Sequence, residues 1–418
     1  MIDIINAITL SLHALYIPVT AILGYTDERY SALFSSAVLL FTALSIGSIL
    51  IYETLHSKKS RGSIRPYFFP ILFIFFYIFD KSTNIHPNQS ASLTQFLSSM
   101  SYATSGIYIA TFSYRYHRIK PILKSLNILM IIQTIAIAIS IPDIITSGIA
   151  SFGLGSYQTL AYFSAFSFSI NLYNILSPNN QLKFKFQETK LYKGISILML
   201  LIQITGVFIS GGRGGAILLF VNTIVLFYTL SRHNIKKILV FILLFIPALY
   251  ITLSVASPEL TNMIEQRTER TFSYIDAEGE VDLSETSGRD IVYSAAWNMY
   301  TQQPFLGYGI YKQYDLLLKE LNTPYVHNII LEIALQGGIV LLTIFLYIFF
   351  KHYKKLKLYL KQAPENTILL TIYLYAITFL MFSGTYLGNT YFWFTMTYIL
   401  IHNFKKNKTN NYYIIPES

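Results

Sequence analysis

Apolar stretches roughly as long as a bilayer is thick follow one another along the chain, separated by short polar interruptions rich in lysine and arginine. Twelve of them read as membrane-crossing helices, over residues 3–24, 31–52, 66–80, 93–114, 125–146, 156–177, 194–210, 214–231, 238–257, 327–350, 366–384 and 388–404. A helix rises about 1.5 Å per residue, so about 20 apolar residues cross the roughly 30 Å of hydrocarbon. The pattern predicts an all-α polytopic membrane protein with about twelve transmembrane helices. Only residues 258–326 form a polar segment long enough to fold outside the lipid. The expected division is residues 1–257 as nine helices, 258–326 as one long outer loop containing short helices, 327–404 as three further helices, and 405–418 as a cytoplasmic tail. The tail, "KKNKTNNYYIIPES", is simply polar, and no unit of roughly 20 to 50 residues repeats.

Composition agrees with a chain solvated by lipid. Of 418 residues, 53% are hydrophobic and 12% charged, and the mean hydropathy is +0.47. The opening "MIDIINAITLSLHALYIPVTAILGY" lacks a basic start and a small-residue cleavage site, so it is expected to be a spanning helix rather than a removable signal. Cysteine is absent, which excludes disulfides, thiolate nucleophiles and zinc-thiolate sites. The net charge of +10 does not point to nucleic acid, because the bases punctuate hydrophobic runs instead of gathering on one soluble face with aromatic platforms.

Those bases orient the chain. With the N-terminus in the cytoplasm, the inner loops and tail hold Lys58 to Arg65, Arg115 to Lys124, Lys183 to Lys193, Arg232 to Lys237, Lys351 to Lys361 and Lys405 to Lys408, which together contain 23 of the 31 lysines and arginines. The other side keeps Arg29, Lys81, Arg213, Arg267, Arg270, Arg289, Lys312 and Lys319. Positive charge gathers on the cytoplasmic side, so the long loop faces outward.

Arg213 breaks that rule. It stands in "ISGGRGGAIL" at the outer end of a hairpin, where glycines let backbone approach closely and leave the guanidinium open to an anion; a flexible turn whose arginine snorkels to lipid headgroups has the same pattern. In the outer loop, Ile291, Val292, Ala295, Ala296 and Met299 fall at helical spacing, ended by Pro304 and Gly307. They predict an amphipathic helix over the outer membrane surface, anchored by Trp297. Arg289 occupies its first turn, where a cation opposes the helix dipole. A bound phosphate group would account for it, as would neutralisation by Asp290 and Glu285.

His327 and Asn328 stand where the chain re-enters the membrane. A histidine there can exchange a proton with a substrate hydroxyl, and a His-Asn pair equally suits a helix cap. Glu332, roughly one turn deeper, either orients a site or satisfies an internal polar partner. Gly337 and Gly338 are expected to be close-packing positions between helices, and Tyr308 and Tyr386 to be outer-side aromatics able to stack on sugar. No metal is expected: the alternating acids of "DAEGEVD", Asp276 to Asp282, lack a calcium-loop pattern. A transporter is the alternative of another class, but the sequence around His13, Asp143 and Glu332 does not show the paired midplane charges that a transporter uses.

Taken in order, "SGGRGG", then "SGR", a tryptophan and "PFLGYG", then "HNIILEIALQGG" resemble the O-antigen polymerase and ligase superfamily of bacterial envelope glycosyltransferases. The likeness is sharp from Ser210 to Gly338 and architectural elsewhere. It implies a GT-C-like, metal-independent transferase acting on sugars carried by undecaprenyl diphosphate, on the periplasmic face of the bacterial inner membrane. No cofactor is implied, since the lipid carrier is part of the substrate. The implied partners are undecaprenyl-diphosphate-linked oligosaccharides, membrane lipids and, as a candidate, a chain-length regulator; nucleic acid is not among them. On the matching positions Arg213 and Arg289 hold the diphosphate and His327 activates the acceptor hydroxyl, with Asn328, Glu332, Tyr308 and Tyr386 as supporting candidates. The segment "YVHNIILE" carries one histidine, with Tyr325 where ligase-like segments often have another, which favours a lipopolysaccharide O-antigen polymerase over a ligase.

The absence of native cysteine makes the orientation directly testable. Ser284→Cys in intact cells is expected to react with a membrane-impermeant maleimide, and Ser63→Cys only after permeabilisation; the reverse pattern would invert the topology.

Overall fold

The computed structural model describes residues 1–25, 29–56, 89–147, 152–177, 181–230, 289–309, 326–362 and 366–402, strands at 404–406 and 412–414, and isolated positions between 262 and 317. Among these residues the protein is helical: α1 (Ile2–Ile22), α2 (Arg29–His56), α3 (Gln89–Arg115), α4 (Ile119–Ser147), α5 (Tyr157–Leu176), α6 (Lys190–Ser210), α7 (Arg213–Leu230), α8 (Arg289–Gln302), α9 (Ile329–Gln362), α10 (Thr367–Phe382) and α11 (Thr390–Ile401). The tail adds a short antiparallel ribbon of β1 (Phe404–Lys406) and β2 (Tyr412–Ile414). Ten of the twelve predicted stretches coincide with described helices, while 66–80 and 238–257 lie outside the described residues. Six helices are by themselves long and apolar enough to cross a membrane: α1, α2 from Leu33, α4, α6, α7 and α9. The chain is a multi-pass helical membrane protein.

Helix α5 falls short of that apolarity for a physical reason. Every residue from Leu160 to Asn174 is buried, so its serines and asparagines face protein rather than lipid. Asn171 donates to the Ser196 carbonyl at 2.9 Å and to Gln203 Oε1 at 3.3 Å, and Gln203 donates to Thr134 Oγ1 at 2.7 Å. Asn174 donates to Asn127, which donates to the Leu182 carbonyl, and Asn222 donates to Ser169. These bonds tie α4, α6 and α7 to α5 where a lost partner would not be replaced by water.

The helix ends sort into two levels. At one end Asp3 pairs with Arg118 and Glu53 with Arg115, each at 2.8 Å, and Lys355 donates to the carbonyls of Leu400 and His402. The opposite end carries the glycine hairpin between α6 and α7, the starts of α8 and α9, and the connection from α10 to α11. Helices α10 and α11 have only 16 and 12 residues, about 24 and 18 Å against roughly 30 Å of hydrocarbon. Since α11 finishes at the basic end beside Lys355, and Asn366 before α10 bonds the Tyr359 carbonyl there, the shortfall lies at the other end. The connection Ser383–Asn389 is therefore set back from that end, and none of its residues is exposed.

Asn171→Leu would strip Gln203 of a donor inside the bundle. A loss on the order of 1 kcal/mol is expected, read as a lower melting temperature in detergent; an unchanged melting temperature would mean that this network does not hold the helices together.

Candidate active site

This connection is tied down by polar contacts. Ser383 Oγ donates to Gln158 Oε1 of α5 at 2.5 Å, and Thr385 Oγ1 donates to Glu332 Oε1 of α9 at 2.5 Å. Gln336 Nε2 donates to the same carboxylate oxygen at 3.4 Å, while Tyr386 Oη donates to Gln336 Oε1 and Trp393 Nε1 to the Tyr386 carbonyl at 2.9 Å. Glu332 is 1% exposed, so its polar atoms depend on this belt. Of the two sequence readings of Glu332, satisfaction of an internal partner is the one visible in these contacts.

Arg289 meets the start of the connection. Its guanidinium donates to the Phe382 carbonyl, the last of α10, at 3.0 Å and lies 5.8 Å from the Phe382 ring. A cation on a helix C-terminus is favoured by the dipole, which offsets the cost of placing it at the start of α8. The Asp290 and Glu285 side chains, weighed as neutralising partners, lie outside the described residues. The charge of Arg289 reaches Tyr162 of α5, Tyr293 of α8 and His327. Tyr293 Oη donates to the His327 carbonyl at 3.4 Å and also meets the Asn328 side chain. Burial raises the Tyr293 phenol above its ordinary value.

His327 precedes α9 with a left-handed φ of +55°, a conformation costing a non-glycine residue roughly 1–2 kcal/mol. It persists because Asn328 begins the helix immediately: Asn328 Oδ1 accepts from the Ile330 and Leu331 N–H groups at 3.0 and 3.2 Å, as an N-cap does. Burial, and then the Arg289 charge, push the imidazole down to about 4, so the ring is neutral at pH 7.

Arg213 opens α7, half-buried, after the glycine hairpin. At Gly214 a Cβ would overlap Tyr162 Oη, so only glycine lets α7 sit this close to α5. The same Tyr162 hydroxyl donates to the Thr378 carbonyl of α10 at 3.3 Å and feels the Arg289 charge. Tyr162 thus joins the hairpin that carries Arg213 to the surroundings of Arg289 and His327. Sequence reasoning missed Gln158, Tyr162, Tyr293 and Ser383. Gln158 and Tyr162 sit at the outer end of a stretch read only as a span, and Tyr293 in a helix read for its apolar positions.

The other expectations are placed differently. The predicted amphipathic helix exists, but its inward face is Ala296 and Met299 with Val292, Tyr293 and Tyr300, while Ile291 is 59% exposed. Trp297 is 56% exposed. Tyr308 is buried, its hydroxyl donating to the Met299 carbonyl at 3.0 Å and lying 3.3 Å from Gln302 Oε1. Tyr386 is buried against Trp393 and bonded to Gln336, so neither ring stands free on the surface. The segment Asp276–Asp282 lies outside the described residues, among which no three His, Asp or Glu side chains cluster as metal ligands. Chemically, two arginines and the N-termini of α7, α8 and α9 concentrate positive potential at one end, beside a neutral imidazole.

Residues 198–346 match the family model described as O-antigen ligase. The matched segment runs from within α6 into α9 and includes Arg213, Arg289 and His327. The match covers less than half of the chain and supports its likeness to the O-antigen polymerase and ligase superfamily, whose members are membrane glycosyltransferase-like enzymes. No curated protein and no solved structure matches the chain.

The His327 environment has a consequence for stability. Its folded-state value of about 4 lies below the ordinary 6.5, so between these values the unfolded chain binds more protons there. The contribution is complete above pH 6.5 and is lost as pH falls towards 4. Melting temperatures in detergent should fall less steeply over this window in His327→Gln than in the unaltered chain; parallel curves would remove the ring from its half-buried, cationic setting.

Proposed function

We propose that the protein is an O-antigen polymerase of the bacterial inner membrane, with its site facing the periplasm. It moves the growing glycan from undecaprenyl diphosphate to the non-reducing end of a new undecaprenyl-diphosphate-linked repeat unit. The observation that carries this reading is the shared neighbourhood of Arg289, His327, Tyr162 and the Arg213 hairpin at one end of the bundle, with Arg213, Arg289 and His327 inside the segment that matches the family.

The chemistry follows from charge. The acceptor hydroxyl oxygen attacks the anomeric carbon, the bond from that carbon to the diphosphate oxygen breaks, and its electron pair leaves with undecaprenyl diphosphate. Arg213 and Arg289, with the helix N-termini, stabilise that growing negative charge without reorganising. His327 takes the hydroxyl proton. Its neutral ring is ready to accept, and a diphosphate bound beside Arg289 would offset the arginine's charge and raise the imidazole's proton affinity. A site at the ends of spanning helices suits a donor whose polyprenyl tail cannot leave the bilayer.

The ligase reading differs in its acceptor, lipid A-core, and is favoured by the description of the matching family. The single histidine of "YVHNIILE" favours polymerisation. Deleting the gene is expected to leave at most one repeat unit on lipopolysaccharide if the chain polymerises and none if it ligates; an unaltered ladder would eliminate both. Arg213→Ala, Arg289→Ala and His327→Ala are each expected to lower chain extension by roughly 100-fold or more at normal expression, and full activity in all three would remove the site.

A further inference from the structure

Helix α9 is broken two turns below its start. Gly337 has φ −134° and ψ 18°, and Gly338 has φ 60° and ψ −159°, a region open essentially to glycine alone. In an unbroken helix the Ile339 N–H would donate to the Leu335 carbonyl. Here both groups have found other partners. Ile339 N–H donates to the Pro304 carbonyl at 2.7 Å, and the Leu335 carbonyl accepts from Tyr308 N–H at 2.7 Å. The Gln336 carbonyl accepts from Gly309 N–H at 2.9 Å. The turn at 304–309 is thereby docked into the break, satisfying backbone groups that lipid could not.

The fit admits no side chain between the two backbones. A Cβ on Gly338 would overlap the Phe305 carbonyl, and one on Gly307, itself at φ +64°, would overlap the Leu335 carbonyl. The Tyr308 hydroxyl ties the turn back to α8 through the Met299 carbonyl. At its other end α8 presents Arg289 and Tyr293 to His327, where the first segment of α9 begins. Helix α8 and that segment are thus fastened to each other at both ends.

We infer that this two-glycine latch is a positioning device for the transfer reaction: by clamping α8 into the break of α9, it sets where Arg289 stands relative to His327. Gly307 and Gly338 are positioning residues, and the inference rests on the proposed roles of Arg289 and His327. It also gives "PFLGYG" and "QGG" a shared purpose, since each motif supplies half of one backbone contact.

The chain has no native cysteine, so geometry can be read apart from catalysis. In a Tyr293→Cys/His327→Cys background a short bis-maleimide is expected to bridge α8 to the start of α9 in membranes. Adding Gly338→Ala should lower that cross-linking by about fivefold, and Gly338→Ala alone should cut chain extension by roughly 100-fold at normal membrane level, as small misplacements in active sites do. Cross-linking at the unaltered rate, or extension close to that of the unaltered protein, would overturn the latch. If Gly338→Ala does not accumulate, Tyr308→Phe, which removes the hydroxyl that contacts Met299 and Gln302, decides: slower cross-linking supports the latch and an unchanged rate overturns it. Gly338-dependent cross-linking in a protein without transferase activity would overturn the enzymatic reading and not the geometry.

Discussion

A backbone N–H or carbonyl below the membrane surface has no water to turn to, and the structure at the glycine end is organised by that constraint. Where α9 breaks, the freed groups of Leu335, Gln336 and Ile339 bond the turn that follows α8. Where α5 carries asparagines through the bundle, α4 and α6 supply their partners, and Ser169 accepts from Asn222 of α7. Where α10 and α11 stop short, the carboxylate of Glu332 is held by Thr385 and Gln336. Irregular backbone and polar side chains at this depth are permitted because each is enclosed by protein, and such enclosure creates a dry, shaped setting for charge.

Charge is handled differently at the two ends. At the basic end Arg115 and Arg118 are matched by Glu53 and Asp3. At the other end, among the described residues, Arg289 donates to the Phe382 carbonyl, and its charge is felt by the half-buried His327. Helix N-termini at the same level add to the potential. An arginine neutralised by a carboxylate would offer little to an anionic ligand, whereas one held by a carbonyl retains its field. Fixed donors of this kind stabilise a leaving diphosphate without moving, which is how a transferase can work on a lipid-linked donor.

Much of the fold was legible in the amino-acid pattern because lipid imposes a coarse and strong rule on span length. The start of α8 near Ile291 and its end before Pro304 were also readable, from helical spacing and a breaker. What escaped was set by partners distant in the chain. Gly337 and Gly338 signal close approach, but nothing local says that the neighbour is the 304–309 turn rather than a second helix. Ile291 has the hydropathy of a buried residue yet is exposed, because the inward face of α8 is fixed by the Tyr308 and Val326 packing beneath Ala296 and Met299. Gln158 and Tyr162 were invisible inside an apolar stretch, and the rings of Tyr308 and Tyr386 could not be known to be enclosed. Asn328 carried a readable signal, since asparagine before an apolar helix is a common cap.

The most direct measurement is a titration of the purified protein in detergent with undecaprenyl diphosphate, the leaving group itself. If the two arginines hold the diphosphate, the unaltered chain saturates, and Arg213→Ala and Arg289→Ala each weaken binding by roughly tenfold or more, while an arginine at the basic end, such as Arg115→Ala, leaves it unchanged. Equal affinity in all four proteins would contradict an anion site at the glycine end.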